Sequence, residues 1–219
     1  MQIGILGATG PAGSGLAARL SSVGFDVVVG SRSKYRAMEV RDALLERWDG
    51  MNLPIEAADN VGAANADIVV IATPWDAAGL TAASVSRQLQ GKVVISMANA
   101  LAKVGNEFQP LVPPRGSVAA SVQAAVPKSL VSAAFHHVPA KELGDLNAPV
   151  DSDVLICSDH KSATEATIEI VNRIPDMNPL DAGQLSNAAP IEAFAAVLLQ
   201  LNVRYKTRVA IRFSGLKHD

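Results

Sequence analysis

The chain has 219 residues, of which 49% are hydrophobic, 18% charged and 4% aromatic, and its formal net charge is -2. This length corresponds to one large domain, or to a medium domain with a compact addition, and excludes a separate, full-sized catalytic domain. The hydrophobic content excludes a disordered chain, and the lack of any run of Lys or Arg argues against nucleic acid or a membrane surface as partner.

The lone cysteine and the lengths of the apolar runs predict the cellular compartment of the protein. Cys157 cannot form an internal disulfide, and no Cys or His spacing suits zinc, so we expect a buried, unreactive thiol and no metal site. The first residues lack the basic and apolar stretches of a secretory signal. No apolar run approaches the ~20 residues of a membrane helix. We therefore expect a cytoplasmic protein.

Strand-like and helical segments alternate along the first hundred residues. Short apolar segments, typical of buried strands, are residues 3–6, 25–29, 55–57, 67–72 and 93–96. Helical spacing of apolar residues occurs at 12–20, 33–48 and 77–89. This alternation predicts parallel βαβ units with right-handed crossovers, in an α/β fold with a Rossmann-like, doubly wound parallel sheet.

The pattern changes beyond residue 99, where prolines and Gly116 predict a loop or soft boundary up to that glycine. Later strands are expected at 130–134, 154–157 and 179–182, and helices at 162–173 and 191–205. The last helix is apolar on most faces, so the sheet or a second subunit must cover it. We divide the chain into a dinucleotide-binding domain, residues 1–125, and a small C-terminal α/β capping domain, residues 126–219.

A glycine-rich turn, GATGPAG at residues 7–13, follows the first strand and opens the first helix. Its glycines permit a tight turn and close backbone approach, and free N–H groups at the helix start suit a pyrophosphate. Thr9 replaces the second glycine of the usual G-x-G-x-x-G pattern and offers a hydroxyl to phosphate. A merely structural glycine turn is the alternative. We expect cofactor contacts from Gly7, Thr9, Gly10, Pro11 and Ala12.

The end of the second strand distinguishes the two nicotinamide dinucleotides. NAD-specific proteins place a carboxylate there for the ribose 2′-hydroxyl, whereas residues 30–36 read GSRSKYR. Hydroxyls and cations suit a dianionic 2′-phosphate, with a planar fork on Arg32 and with Arg36 one helical turn on. A solvated helix start is the alternative. We predict NADP, held by Ser31, Arg32 and Arg36.

Two further segments follow strands at the edge where open α/β sheets bind ligands. Pro74 is expected to fix the backbone beside the nicotinamide ribose, with Thr73 next to it, and Trp75 to cover the cofactor. A proline that ends a strand next to a core tryptophan is the alternative. After the fifth strand, we assign Ala98 to the same cofactor site.

These motifs resemble those of the NADPH-dependent coenzyme F420 reductases, also called F420-dependent NADP oxidoreductases. The resemblance is carried by GATG, GSGLA, VGSR and TPW in the first half, and by SAAFHHVPA and PLDAGQLSN in the second, at residues 7–10, 13–17, 29–32, 73–75, 132–140 and 179–187. Residues 96–101 match the family pattern only loosely. The same architecture is also similar to the flavin-using domain of metalloreductases.

The resemblance implies reversible hydride transfer between C4 of the nicotinamide of NADP and C5 of the deazaflavin coenzyme F420, in a homodimer. It implies that His136 contacts or positions the deazaflavin, or compensates charge on it, with His137 the rival histidine. It also implies a deazaflavin pocket, formed with dimer contacts by the C-terminal domain, that includes Val138, Leu185, Ser186 and Asn187. The alternative for Ser186 and Asn187 is capping of the last helix.

Hydride transfer between two bound ligands needs positioning rather than a protein nucleophile. Accordingly, no G-x-S-x-G elbow indicates a hydrolase. Two other functions stay open at this point. One is an NADPH-dependent reductase of a flavin, a ferric complex or a quinone, and the other is a non-catalytic regulator that senses NADP.

Overall fold

Strands and helices alternate along residues 1–216, the part of the chain that the computed structural model describes. The strands are β1 (Gln2–Leu6), β2 (Asp26–Ser31), β3 (Ile55–Asp59), β4 (Ile68–Ile71), β5 (Val93–Ser96), β6 (Leu101–Val104), β7 (Glu107–Pro110), β8 (Leu130–Ala133), β9 (Ser152–Ser158) and β10 (Met177–Asp181). The helices are α1 (Pro11–Ser22), α2 (Lys34–Arg47), α3 (Asn60–Ala63), α4 (Trp75–Ser84), α5 (Val118–Ala125), α6 (Ala140–Leu143), α7 (Lys161–Asn172) and α8 (Ala188–Tyr205), with a 3₁₀ turn at Leu185–Asn187. Within the described part, no helix is long and apolar enough to cross a membrane.

Eight strands form one sheet in the order β10, β9, β8, β5, β4, β1, β2, β3. The six strands from β8 to β3 run parallel to their neighbours, and helices lie on both faces, which confirms the Rossmann-like, doubly wound fold. β8 pairs with β5, so strands of the C-terminal half extend the same sheet without a break. The division of the chain into two domains at residue 125 stays a prediction.

β9 departs from the predicted parallel arrangement. Ser158 lies opposite Ser132 and Cys157 opposite Ala133, so β9 is antiparallel to β8, while β10 runs parallel to β9. A parallel neighbour needs a crossover that returns the chain, usually a helix. Residues 134–151, which join β8 to β9, contain only the four-residue helix α6. A run of apolar residues is equally compatible with a parallel and with an antiparallel strand. The direction of β9 therefore depends on the connection that precedes it.

The expected loop between residues 99 and 116 contains a β-hairpin instead. β6 and β7 pair antiparallel around a two-residue turn formed by Gly105 and Asn106. Gly105 has φ of 60°, the left-handed conformation that two-residue hairpin turns require at their first position and that glycine adopts without strain. The hairpin is anchored on α8, because the Phe108 N–H donates to Gln200 Oε1 at 3.2 Å.

Side chains of the strands alternate between two cores, one on each face of the sheet. On β2, Val27 and Val29 belong to the core that includes residues of α1, α2 and α7, whereas Val28 belongs to the core that includes residues of α3, α4 and α5. Coverage on both faces explains why the strands are almost continuously apolar. Cys157 is fully buried in the second core, which confirms the expected buried thiol, and burial raises its pKa to about 11.

Candidate active site

A cleft of about 790 Å³ lies at the carboxyl ends of the central strands. The ends of adjacent parallel strands meet at one edge of the sheet, so segments far apart in the chain converge there. The cleft brings together eleven of the twelve residues predicted to bind the cofactor: Gly7, Thr9, Gly10, Pro11, Ala12, Ser31, Arg32, Thr73, Pro74, Trp75 and Ala98.

Backbone contacts hold the glycine turn at the floor of this cleft. The Gly7 N–H donates to the Gly30 carbonyl at 3.1 Å, and Gly7 has φ of 84°. A Cβ on Gly7 would lie 2.6 Å from Thr73 Cγ2 and 2.7 Å from Thr73 N. The turn after β1 therefore packs directly on the loop after β4, in a conformation and a space that only glycine combines.

α1 begins at this turn with its first N–H groups unshared. Gly10 precedes the helix, no side chain caps it, and Pro11 occupies the first helical turn without an N–H of its own. The leading N–H groups of a helix have no intrahelical partner and form the positive end of its dipole. They therefore suit an anionic group such as a phosphate.

Charge at the end of β2 is positive where it faces the cleft. Ser31 and Arg32 line the cleft, and no Asp or Glu of the described chain does so. This combination favours a 2′-phosphate over a 2′-hydroxyl. The structure does not bring Arg36 to the same place: its side chain is 74% exposed on α2, where the guanidinium lies 3.9 Å from Glu39.

Three polar side-chain atoms at the cleft are buried and have no hydrogen-bond partner among residues 1–216. They are Asn60 Oδ1, Thr73 Oγ1 and Asn99 Oδ1. Buried polar groups are normally hydrogen-bonded, so unpartnered atoms along a cleft fit a ligand that completes them. Asn60 belongs to no motif, and sequence reasoning missed it, although its position directly after the carboxyl end of β3 was an available signal. Asn99 lies in the segment at residues 96–101 that follows β5 and matches the family pattern only loosely, and it was not singled out within that segment.

His136 lies behind the cleft and not in its wall. The side chain is buried, and burial, followed by the neighbouring His137, lowers its pKa to about 3, while a backbone contact with Ala134 offsets part of the shift. The ring is therefore neutral at pH 7 and carries no charge with which to compensate charge on a ligand. Its link to the cleft runs through Asn99, whose Nδ2 donates to the His136 carbonyl.

His137 ties this segment to β9. Its Nε2 accepts a hydrogen bond from the Leu155 N–H at 3.0 Å, and burial lowers its pKa to about 4. Because Nε2 must be unprotonated to accept, the lowered pKa and the contact agree on a neutral ring. Val138, next along the chain, is buried in the core with α1.

Leu185 and Ser186 line a second cavity, of about 460 Å³, that shares no lining residue with the cleft. Arg115 and Asp159 form part of its polar wall, and Asp159 Oδ1 accepts from the Leu185 N–H at 3.0 Å. The structure therefore places the residues predicted for the deazaflavin in two groups, one behind the cleft and one at this second cavity.

Asn187 lines neither cavity. Its Nδ2 donates to the Ala182 carbonyl at 2.6 Å, and its side chain does not cap α8. The helix begins at Ala188 and continues directly from the 3₁₀ turn, and the Ala188 N–H donates to the Leu185 carbonyl of that turn.

Comparison with known proteins agrees with this geometry. A family model described as "NADP oxidoreductase coenzyme F420-dependent" matches residues 2–100. The F420-dependent NADP reductase of Methanocaldococcus jannaschii is 35% identical over 99% of this chain and 100% of its own length. That of Methanothermobacter thermautotrophicus is 33% identical over 99% of this chain and 96% of its own. The crystal structure of a putative F420 dependent NADP-reductase from Arthrobacter sp. FB24 shares the fold, with a TM-score of 0.81, 21% identity and coverage of 97% of this chain and 100% of that one. The chain therefore belongs to the F420-dependent NADP reductase family.

Proposed function

We propose that this protein is an oxidoreductase that transfers a hydride reversibly between NADP(H) and the deazaflavin coenzyme F420. The observation that carries this proposal is the cleft, which joins an uncapped helix start at a glycine turn to Arg32 and has no Asp or Glu among the described residues that line it. The family to which the chain belongs supports the second substrate, since its relatives are named F420-dependent NADP reductases.

Different residues of the cleft bind different parts of the dinucleotide. The first N–H groups of α1 bind the pyrophosphate, with the Thr9 hydroxyl beside them. Ser31 and Arg32 bind the 2′-phosphate through charge-assisted hydrogen bonds. Thr73, Pro74 and Trp75 form the wall next to the glycine turn. The unpartnered oxygens of Asn60, Thr73 and Asn99 supply acceptors along the same path, so the donor set and the glycine cradle fit a dinucleotide.

The chemistry comes from the two substrates, because C4 of the nicotinamide and C5 of the deazaflavin exchange the hydride when both are bound. The protein's task is to align these rings and to keep water from the reaction. We assign the nicotinamide end to Met97, Ala98 and Asn99, which follow β5 and line the cleft.

His136 acts as a positioning residue in this scheme. Its neutral ring provides no electrostatic compensation, and its carbonyl holds the Asn99 amide at the cleft. Leu185, Ser186 and Asn187 lie outside the cleft, and their contribution to a deazaflavin pocket, together with that of Val138, stays a prediction.

The proposal is tested by mixing the purified protein with NADPH and one acceptor at a time, while NADPH absorbance is followed. We expect NADPH to be oxidised when coenzyme F420 is the acceptor. With FMN or a ferric complex, we expect NADPH oxidation to be much slower. Faster oxidation with FMN or the ferric complex would assign the protein to the alternative reductase. Binding of NADPH without turnover of any acceptor would support the regulator.

We further propose that the working form is a cytoplasmic homodimer. α8 exposes an apolar stripe of Phe194, Val197 and Tyr205, which are 43%, 48% and 72% exposed. Such a stripe on an otherwise packed helix is typical of a protein contact, and the single, reduced Cys157 suits the cytoplasm. Light scattering should give a dimeric mass for the natural chain and a monomeric mass for Val197→Glu; a monomeric mass for both would refute the dimer.

A further inference from the structure

The connection between β8 and β9 carries His136 but has little regular structure of its own. Residues 134–151 include only α6, yet Phe135, His136 and Leu143 are buried. Phe135 has φ of 62°, a left-handed conformation that a bulky residue rarely adopts and that persists only where the surroundings impose it. Contacts with another element must therefore hold this connection in place.

Arg19 of α1 contacts this connection with a buried side chain. It donates to four carbonyls of the connection: Leu143 from Nε at 3.2 Å, and Glu142, Asp145 and Ala148 from Nη2 at 2.8, 2.5 and 3.0 Å. The Leu143 carbonyl ends α6, where carbonyls have no partner within the helix, whereas the Glu142 and Asp145 carbonyls also accept from the N–H groups of Asp145 and Ala148. The planar fork of a guanidinium can serve several acceptors at once, which a lysine ammonium cannot do with the same geometry.

Gly15 lies one turn before Arg19 on the same face of α1 and lets α6 approach at backbone distance. A Cβ on Gly15 would lie 2.9 Å from the Ala140 carbonyl oxygen and 3.0 Å from Gly144 N. Any larger residue would push the two helices apart. Gly15 and Arg19 together form a contact face on α1, which we call the α6-binding face.

α1 thus joins the two parts of the proposed reaction site. Its N-terminus lies at the cleft, and its α6-binding face holds the helix that directly follows His136, Val138 and Pro139. We propose that Gly15 and Arg19 are positioning residues, which set the His136 segment relative to the glycine turn and thereby align the deazaflavin with the nicotinamide. The proposal rests on the proposed function for its kinetic consequence but has a structural consequence of its own.

Arg19→Lys is the first test, because it keeps the charge and removes the fork. Hydrogen exchange should become faster in peptides from residues 135–150 and stay unchanged in residues 2–10. In turnover assays, kcat/KM for F420 should fall by about 10- to 100-fold, the range that a misplacement of about 1 Å produces. The Kd for NADPH should stay within about twofold, because the α1 N-terminus is untouched.

Arg173→Lys is the matched control. Arg173 also donates to a backbone carbonyl, that of Val23 at 2.9 Å, and lies 4.2 Å over the Phe25 ring, but it makes no hydrogen bond to the connection. Arg173→Lys should change neither the rate of hydrogen exchange in residues 135–150 nor kcat/KM for F420 nor the Kd for NADPH by more than about twofold.

Gly15→Ala keeps the proposal testable if Arg19→Lys does not fold. Its added methyl should reproduce the selective loss with F420, whereas Gly79→Ala, whose Cβ would lie 3.6 Å from the Ser121 carbonyl oxygen in ordinary contact, should not. Equal losses for NADPH and F420, or unchanged exchange in 135–150, would overturn the positioning role. Absence of any F420 turnover by the natural chain would instead refute the proposed function, and the exchange result would still decide whether α1 holds the connection.

Discussion

The cleft and the second half of the site are built in different ways. Gly7, Arg32 and Thr73 each lie just after a strand of the sheet, so the order of strands already brings them together at the cleft. The residues expected at the deazaflavin come instead from an irregular connection, which carries His136, and from the turn before α8, which carries Ser186. Residues that meet at a sheet edge can be predicted from local sequence motifs, whereas a site formed by connections between strands depends on tertiary contacts such as those of Arg19.

Gly7→Ala should have the largest effect, because it disturbs the part of the site that the sheet edge fixes. The added methyl would meet Thr73 at 2.6 Å, at a φ of 84°. Strain and overpacking together should lower the free energy of unfolding by about 2–4 kcal/mol. Displacement of the turn from Thr73 should raise the Kd for NADPH by about 100-fold, measured by fluorescence titration.

Gly91→Ala is its control, since Gly91 also has a left-handed φ, of 71°, but a Cβ there would meet nothing within 4 Å. It should cost about 1–2 kcal/mol in stability and leave NADPH binding unchanged. A similar loss of NADPH affinity in both variants would mean that general instability, and not the turn, weakens binding.

Arg32→Glu should separate the two dinucleotides. The loss of a charge-assisted contact with the 2′-phosphate should raise the Kd for NADPH by about 10- to 100-fold, and that for NADH by less than about threefold. Arg36→Glu should change the Kd for NADPH and the Kd for NADH by less than about threefold, because Arg36 is exposed and faces Glu39. Equal effects of Arg32→Glu on NADPH and NADH, in isothermal titrations, would show that Arg32 does not read the 2′-phosphate.

Glu192 should make the stability of the C-terminal half depend on pH, whereas no Asp or Glu of residues 1–216 lines the cleft. This buried residue of α8 accepts from the N–H groups of Val118 and Ala119, at 2.8 and 3.1 Å. Burial raises its pKa from 4.5 to about 7, although the two hydrogen bonds oppose the shift. The folded state therefore binds the proton more tightly than the unfolded state, and the stability that this binding contributes is lost as pH rises from about 4.5 to about 7.

Urea unfolding of the natural chain and of Glu192→Gln, across that window, measures this effect. The difference in unfolding free energy between the two proteins should change by on the order of 2 kcal/mol. His136 and His137, whose pKa values are lowered, add stability as pH rises toward 6.5, but they do so equally in both proteins and cancel. A difference that is constant with pH would contradict the assigned pKa of Glu192.

Ser186→Ala should have the smallest effect, and it asks whether the second cavity belongs to the reaction. If the Ser186 hydroxyl binds the deazaflavin, as the family resemblance implies, the KM for F420 should rise by about two- to tenfold, the value of one hydrogen bond. The KM for NADPH should not change. Identical kinetics in steady-state assays would separate the second cavity from the reaction.

Much of the fold could be predicted from the sequence because apolar strands and helical spacing alternate clearly through β5. The hairpin at residues 101–110 was missed because nearby prolines indicated a loop, although the Gly105–Asn106 pair is itself a known hairpin turn. The direction of β9 could not be predicted, because it depends on the connection at residues 134–151, which contains only the short helix α6 and no crossover helix that would make β9 parallel to β8.

The residues assigned to the cofactor converge in the structure, whereas those expected at the deazaflavin do not, for the same reason. Glycine turns and strand ends have local patterns, and eleven of the twelve assigned residues line one cleft. Arg36 was assigned by helical spacing alone, which does not show whether a side chain turns toward the sheet edge or toward Glu39. The burial of His136 and the unpartnered oxygens of Asn60 and Asn99 arise only from packing.

Direct hydride transfer between the two substrates is the central claim, and isotope transfer tests it most directly. Purified protein would be given F420 with NADPH carrying deuterium at one or the other face of C4, in ordinary water, and the reduced deazaflavin examined by mass spectrometry. We expect one deuterium to be retained at C5 from one of the two labelled faces and none from the other. Reduced deazaflavin without deuterium from either face would contradict direct transfer.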